Sequence, residues 1–423
     1  RDVLGSRGLG DVYKRQLLGS KAVAAVGVGG MYVWLSQGLA SLARMGGQVH
    51  VAQCLGRGDK EQAHRYAKTA VQLSILLGLA FAVVSLLFTD PLVAFFKLEG
   101  AKTILDAKIY MRITCGLILF SFLNLTLTGL YTAQGDSKTP FVANFIGLLI
   151  NLLLDPLLIL GVGPFPRIEV AGAAVATVSA QFVVMFVMMV GVFRSKKEEN
   201  VLKGIRLFEP FSKEELGNIC KIGGPTAIQG MVYCMISMVL TRMVAAFGAE
   251  AIATQRVGGQ IESVSWNTAD GFAAALNAFV GQNYGAKKMD RVQKGYRISF
   301  WTVAIWGALI MLAFIIFPGP IAGVFFHEEK AMEIAISYLI IIGFSEAFMC
   351  VELMTIGALS GLGKTKLCSV ISITATSMRI PLAMVLSRTS LGLDGIWWAL
   401  TLTSVAKGII FYLTFRYQMR EKC

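Results

Sequence analysis

The sequence predicts an all-α polytopic membrane protein made of two pseudo-symmetric six-helix bundles, with eleven transmembrane helices present in this chain. Composition is the first reason, because 55 % of the 423 residues are hydrophobic and only 15 % are charged, against about 25 % charged residues in soluble domains. Recurring apolar runs and an internal duplication are the second and third reasons. This composition excludes a soluble enzyme, a disordered chain and a small disulfide-stapled secreted domain.

Eleven segments are apolar enough to cross a bilayer, which takes about 20 apolar residues in a helix. Apolar and polar residues do not alternate along them, so we predict helices rather than the strands of a membrane barrel. Six segments are uncharged and five carry a few charges: 22–43, 69–89, 113–135, 170–193, 222–241 and 298–326, then 140–162, 251–281, 334–360, 367–388 and 395–417.

Lysine and arginine predict the orientation, because these residues concentrate in cytoplasmic loops. If the loop after the first predicted helix lies inside, most loop Lys and Arg residues also fall inside, including Lys287, Lys288 and Arg291. The net charge of +13 then needs no nucleic acid to explain it. We predict a multi-pass protein of the cell inner (cytoplasmic) membrane with a cytoplasmic C-terminus.

The first residues differ from the rest of the chain. Residues 1–16 are polar, lack an initiator Met and resemble translated adapter sequence. They contain no apolar core of a signal peptide. We interpret 1–16 as a non-native or disordered segment and expect that the first helix of the first bundle is missing. A genuine short polar N-terminus is the alternative.

The chain repeats itself, which indicates two homologous halves. Residues 19–66 align without gaps on 248–295 with ten identities, and 129–139 match 357–367. Because six helices are an even number, the two copies run parallel about an axis along the membrane normal, as in rocking transporters. The predicted domains are an amino lobe at 17–193 with five of its six helices, a cytoplasmic linker at 194–216 and a six-helix carboxy lobe at 217–423.

Asp155 is the most informative single residue, because a carboxylate inside a membrane helix costs about 2.5–3.5 kcal/mol and usually has a task. Asn151 lies four residues earlier, on the same helix face. Pro156 follows, and its ring frees the carbonyl of Leu152 from the helix ladder. Such oxygen atoms suit Na⁺ or a proton relay. A structural carboxylate at a helix kink is the alternative.

The carboxy lobe carries other charges inside its predicted helices. Glu352 and Arg379 lie at similar estimated depth, and an intramembrane pair of this kind should form an ion pair. We expect the pair to open when a proton or cationic substrate binds, or else to be permanently structural. Glu262 is a candidate for binding a substrate cation or a proton. Weaker candidates of the same kind are Asp270, Glu346 and Arg256.

Four motifs in order resemble the multidrug and toxic compound extrusion (MATE) family over about residues 19–417. They are LTGLYTAQGDSKTP at 127–140, NLLLDPLLILG at 151–161, AGAAVAT at 171–177 and GQNYGAKK at 281–288. The resemblance implies a cation-coupled antiporter that expels amphipathic, often cationic, organic compounds from the cytoplasm. It also implies that Asn151, Asp155 and Thr177 form the cation-coupling site, with Na⁺ as a possible metal.

Other functions compete with this interpretation. A flippase for a lipid-linked precursor shares the two-lobe architecture but predicts a strongly cationic cavity. A membrane-embedded prenyl transferase wants a DDxxD-like cluster, which the sequence lacks. A passive channel would not explain the Asn–Asp–Pro pattern in one half. We therefore predict a monomeric transporter rather than an enzyme, with no cofactor beyond Na⁺ or H⁺, and with small organic cations or drugs and the lipid bilayer as partners.

Overall fold

The computed structural model describes residues 10–96, 98, 100–161, 167–195, 200–207, 209–210, 212–326 and 329–420, with side chains from Ala25 onward except that of Ala249. The described residues form sixteen helices and no strand. The first eight helices are α1 Gly10–Arg57, α2 Lys60–Leu87, α3 Thr89–Ala94, α4 Ala101–Gly116, α5 Leu119–Ala133, α6 Lys138–Leu160, α7 Glu169–Arg194 and α8 Lys213–Ala245. The other eight are α9 Ala249–Gly285, α10 Met289–Ile316, α11 Pro318–Gly323, α12 Glu329–Gly343, α13 Glu346–Gly361, α14 Thr365–Ser377, α15 Arg379–Leu386 and α16 Leu393–Arg420.

Seven helices in the described part are long and apolar enough to cross a membrane, with α14 and α15 counted together. The number rises to nine if two bent pairs each count as one span, namely α4 with α5, bent by 43°, and α12 with α13, bent by 49°. The all-helical membrane fold is confirmed, whereas the predicted number of eleven is not. The long helices α1 and α9 cover the predicted spans 22–43 and 251–281 but are not among the nine.

The chain divides into two compact units, 1–230 and 231–423, called here the amino unit and the carboxy unit. The division falls inside α8. It does not test the predicted domain boundaries, which stay a prediction. Helix α1 begins at Gly10, within the segment 1–16, and the interpretation of that segment as non-native or disordered stays a prediction. Residues 1–9 of that segment lie outside the described residues.

Each unit repeats the same close contacts between helices, as the duplication predicts. A Cβ atom added at Gly29 would lie 2.4 Å from the Tyr110 ring, and one added at Gly258 would lie 2.2 Å from the Tyr338 ring. These glycines therefore let α4 and α12 pack directly against α1 and α9.

A second repeated contact joins the helices that carry the candidate residues. A Cβ atom at Gly172 would lie 2.5 Å from the carbonyl oxygen of Leu158, and one at Gly395 would lie 2.5 Å from the carbonyl oxygen of Leu386. Helix α6 consequently packs tightly on α7, and α15 packs tightly on α16.

The segment after α7 packs against the helices of the amino unit, to which it belongs. Leu202 of this interlobe segment, residues 200–207 and 209–210, lies in the hydrophobic core of that unit. The Nδ1 atom of His64 lies 2.7 Å from the carbonyl oxygen of Val201. Lys68 forms an ion pair of 2.8 Å with Glu209, and the hydrogen bond from Lys68, together with its charge, lowers the pKa of the Glu209 carboxyl. The segment is thus fastened to α2.

Candidate functional site

Two of the predicted residues lie on the buried face of α6. Asp155 is 1 % exposed and Asn151 is 8 % exposed, one helical turn apart. The Nδ2 atom of Asn151 is buried and has no hydrogen-bond partner among the described residues. Buried polar groups normally have partners, so this amide has capacity to bind a further group.

Proline does not interrupt α6 next to Asp155. The helix continues past Pro156 to Leu160 and ends with Gly161 in the left-handed conformation, at φ 71°. Pro156 has no N–H, so the carbonyl oxygen of Leu152 lacks its usual helical donor. That oxygen lies within the same turn as Asp155.

Thr177 lies on α7, which packs directly against α6. Its hydroxyl donates a hydrogen bond of 2.8 Å to the carbonyl oxygen of Ala173, and the side chain is half-buried. The oxygen of that hydroxyl keeps lone pairs that can accept from, or coordinate, another group. The structure therefore has the three predicted residues on two adjacent helices. Their role as a cation site stays a prediction.

Asn124 and Gln181 add polar groups to the same unit that sequence reasoning missed. The Nδ2 atom of Asn124, on α5, donates to the backbone oxygen of Gln181 at 2.9 Å and to its Oε1 atom at 2.7 Å. Gln181 lies one turn after Thr177 on α7. Only a weak signal for these two residues was present in the sequence, because uncharged Asn and Gln side chains occur in many apolar segments.

The carboxy unit corrects one predicted interaction. Glu352 pairs with Lys407, whose Nζ lies 2.8 Å from Oε1, and the two side chains are 6 % and 7 % exposed. The predicted Glu352–Arg379 pair was therefore wrong. Lys407 comes from α16, which approaches α13 closely because Gly408 fits against the carbonyl oxygen of Phe348 at 2.6 Å from its ideal Cβ.

Arg379 is held by hydroxyl groups instead. Its Nε donates to Thr403 Oγ1 at 3.0 Å and its Nη2 donates to Ser404 Oγ at 2.9 Å. The guanidinium lies 6.0 Å from the centre of the Tyr233 ring, within the range of a cation–π contact. Its charge also acts on Glu262 and Lys407.

Glu262 lies in the same network, beside a second acid. Its Oε2 accepts a hydrogen bond of 3.2 Å from the Tyr338 hydroxyl. Glu346 is 0 % exposed, and Ser265 is the hydroxyl neighbour of its carboxyl group. The two carboxyl groups interact electrostatically. Glu346 begins α13, where the helix dipole favours a negative charge.

Sequence reasoning overlooked Lys407 and gave Glu346 little weight. The signal for Lys407 was present, because an ionisable residue in an apolar run marks a functional or paired position. Two weak candidates, Asp270 and Arg256, are exposed on α9. Over the described ranges, no group of three or more His, Cys, Asp or Glu residues could hold a metal ion.

Comparison with known proteins gives consistent matches along the chain. A family model described as MatE matches residues 11–157 and 225–385. A probable multidrug resistance protein from Thermotoga maritima is 28 % identical over 95 % of this chain and 86 % of its own length. A FAD transporter from Shewanella oneidensis is 25 % identical over 96 % of this chain and 88 % of its own length.

Solved structures match the whole fold. A transporter of the MOP superfamily from Pyrococcus furiosus superposes with a TM-score of 0.89 at 23 % identity. The match covers 98 % of this chain and 91 % of that structure. At this identity the likeness is one of fold.

Proposed function

The chain belongs to the MatE family of membrane transporters, and from that premise we propose that it is a cation-coupled antiporter that exports amphipathic or cationic organic compounds from the cytoplasm. The observation that carries the proposal is Asp155, a buried carboxylate one turn from Asn151 inside a helix long and apolar enough to span the membrane. Burial of a carboxylate at that depth is costly. A bound Na⁺ or proton would reduce that cost.

The coupling ion would bind at Asp155, Asn151 and Thr177. Carboxylate, amide and hydroxyl oxygens are the ligands that a hard cation prefers. The same carboxylate can bind a proton, so the site is chemically suited to either Na⁺ or H⁺. Ion entry from outside would favour the conformation that releases the exported compound.

Coupling requires a difference in affinity. An ion that bound both transport conformations equally would shift nothing, however tightly it bound. We therefore infer that the packing of α6 on α7 differs between the two conformations. Gly172 permits the close approach of these helices, so a change in their packing would first alter the contact at this residue.

The positive group of the exported compound, or a proton, would bind at Glu262. This carboxylate is held by Tyr338 and lies beside Glu346. Two neighbouring acids in a low-dielectric setting favour a bound positive charge. We do not propose that an ion pair between Glu352 and Arg379 opens on binding, because Glu352 is paired with Lys407.

The membrane setting of the proposal follows the distribution of basic residues. The protein would lie in the inner membrane with its C-terminus in the cytoplasm, and it would act as a monomer. The Thermotoga relative is described as a multidrug resistance protein, which supports organic drugs as cargo. One relative is described as a FAD transporter, so an anionic cargo is the alternative to an organic cation.

The test uses the full chain in sealed vesicles loaded with a fluorescent cationic dye. A Na⁺ gradient and a pH gradient are imposed separately, and dye movement is recorded for the wild type, Asp155→Asn and Asp290→Asn. Asp290 is the matched control, because it is an exposed acid in the first turn of a long helix, α10, and is no candidate for ion or substrate binding. We expect one gradient to drive the dye, Asp155→Asn to abolish the movement and Asp290→Asn to leave it unchanged.

Two results would reject the proposal. Equal dye movement in the wild type and Asp155→Asn would remove Asp155 from coupling and direct attention to Glu262. No dye movement under either gradient, together with movement of a labelled lipid-linked precursor, would support the flippase alternative.

A further inference from the structure

The Glu352–Lys407 pair lies in the interior of the carboxy unit, apart from the residues proposed to bind the coupling ion. Glu352 is on α13 and Lys407 is on α16, and the Nζ–Oε1 distance is 2.8 Å. Both residues are buried. The sequence did not predict this pair, because it placed Glu352 opposite Arg379 instead.

The surroundings of Glu352 resemble a site for a small cation more than a closed structural bridge. Lys407 contacts Oε1, while Oε2 is buried without a hydrogen-bond partner among the described atoms. Hydroxyl oxygens of Thr403 and Ser404, one turn before Lys407 on α16, hold Arg379 nearby. The site therefore contains one carboxylate with unused acceptor capacity.

The lysine side chain is a suitable substitute for a free ion. Its ammonium is a compact monovalent point charge on a flexible stem, with the same charge as Na⁺ or a methylammonium ion. Gly408 lets the backbone of α16 come close to α13, which brings the ammonium to the carboxylate. With this tethered ammonium in place, the Glu352 carboxylate needs no cation from solution to balance its charge.

We propose that Glu352 forms a monovalent-cation site that the tethered ammonium of Lys407 keeps permanently filled. The carboxy unit then has no exchangeable ion at this position. Ion exchange is left to other groups, so Lys407 restricts which acid takes part in coupling. This inference goes beyond the proposed function, because it concerns a site that is closed to the coupling ion.

A purely structural ion pair makes a different prediction. Removal of Lys407 would then destabilise the protein, and no added cation would repair the loss. If the pocket accepts a free monovalent cation, a small amine of matching charge should replace the missing ammonium. Binding to the folded state raises the unfolding temperature by mass action.

The experiment measures thermal unfolding of the purified full chain in detergent, for the wild type, Lys407→Ala and the double variant Glu352→Gln/Lys407→Ala. Each is titrated with methylammonium chloride, NaCl or choline chloride at equal concentration. We expect methylammonium to raise the Tm of Lys407→Ala by roughly 3 °C or more, and choline, which is too large, to have no such effect. The wild type and the double variant should not respond.

Two outcomes would overturn the proposal. One is a Lys407→Ala protein whose Tm ignores both methylammonium and Na⁺. The other is an equal response in the double variant, because that protein lacks the carboxylate. The readout is stability, so a failure of Asp155 to couple transport would leave this test unaffected.

A second variant keeps the test decisive if Lys407→Ala does not fold. Glu352→Gln/Lys407→Met removes both charges at nearly constant volume, and such replacements of buried pairs are often tolerated. In the vesicle assay, we expect this variant to keep the gradient dependence of the wild type. A changed choice of driving ion, or loss of ion-driven movement in folded protein, would mean that the pair opens during transport and would overturn the proposal.

Discussion

The amino unit and the carboxy unit use one scaffold but fill its interior with different charges. The shared scaffold is visible in the repeated glycine–tyrosine contact, Gly29 with Tyr110 in one unit and Gly258 with Tyr338 in the other. In the amino unit, the buried carboxylate Asp155 lies one helical turn from the buried amide of Asn151. In the carboxy unit, buried acids lie beside an ammonium and a guanidinium.

Corresponding positions show how the two units diverged. At the offset of 228 that relates 129–139 to 357–367, Asp155 corresponds to Ala383. At the offset of 223 that relates Gly172 to Gly395, Lys407 corresponds to Val184. Both apolar residues are buried. The same helix contacts therefore surround a charged residue in one unit and an apolar residue in the other. The two proposals amount to a division of labour, with an exchangeable ion at Asp155 in the amino unit and a tethered ammonium at Glu352 in the carboxy unit.

The largest expected effect separates the two units by transport. Asp155→Asn should reduce ion-driven dye movement to the level of empty vesicles, because the amide cannot carry the charge that binds the ion. Glu352→Gln/Lys407→Met should keep most of it, because no net charge changes. The initial rate of dye movement under the effective gradient is the measurement. Loss of transport in both folded proteins, to the same degree, would contradict the division of labour.

The next effect compares one missing charge with two. Lys407→Met should lower the free energy of unfolding by about 3–5 kcal/mol, because it leaves Glu352 buried without its counter-charge. The double variant Glu352→Gln/Lys407→Met should recover most of this loss. Chemical unfolding in detergent, with a double-mutant cycle, measures the coupling energy. A double variant as unstable as Lys407→Met would show that charge is not the reason.

These two predictions also show what sequence could and could not reveal. The apolar runs and the duplication predicted the helices, because hydropathy and backbone hydrogen bonding alone decide which segments can span a bilayer. Asp155 was found for the same reason, since a charge is conspicuous in an apolar run. The partner of Glu352 was not found, because pairing depends on how closely two helices approach. That approach is set by one small residue, Gly408, far from Glu352 in the chain.

Glu346 illustrates a second limit of sequence reasoning. It comes directly after the break between α12 and α13, so it could be taken for a residue at a helix end with little consequence. It is nevertheless completely buried and interacts electrostatically with Glu262, next to the 49° bend between those helices. Nothing in the run 334–360 announces a bend of this size.

A smaller effect tests the shared glycine–tyrosine contact with neighbouring controls. Gly258→Ala should push the Tyr338 ring away and weaken its hydrogen bond to Glu262, whereas Gly259→Ala meets nothing within 4 Å. A cost of about 1–3 kcal/mol is expected for the first change, with reduced transport. The second change should leave transport unchanged and should raise the stability by about 0.5–1 kcal/mol, because it replaces a glycine inside a helix by alanine.

The matched pair in the amino unit sharpens the result. Gly29→Ala displaces Tyr110, and Gly30→Ala again meets nothing within 4 Å. We expect Gly29→Ala to lower the Tm to a similar degree as Gly258→Ala, since the ring contact is equivalent. Equal stability of all four variants would mean that these close approaches relax at no cost, and the common scaffold would then explain less than we infer.

The smallest effect lies at the surface of the amino unit, where the interlobe segment is fastened by Lys68 and Glu209. Lys68 lowers the pKa of Glu209 below its ordinary value of 4.5. A lowered folded-state pKa stabilises the folded form above the unfolded pKa, and this contribution disappears as the pH falls through the folded value. Protection of the amides of residues 200–207 against hydrogen exchange, measured relative to their intrinsic exchange rates at each pH, should therefore be high near neutral pH and should fall below about pH 4.5 more in the wild type than in Lys68→Met. Because the Glu209 carboxylate is exposed, salt should weaken the pair as well. An acid-induced loss of protection of equal size in Lys68→Met would assign the response to other groups, and the segment would then be held by Leu202 and the His64 contact rather than by charge.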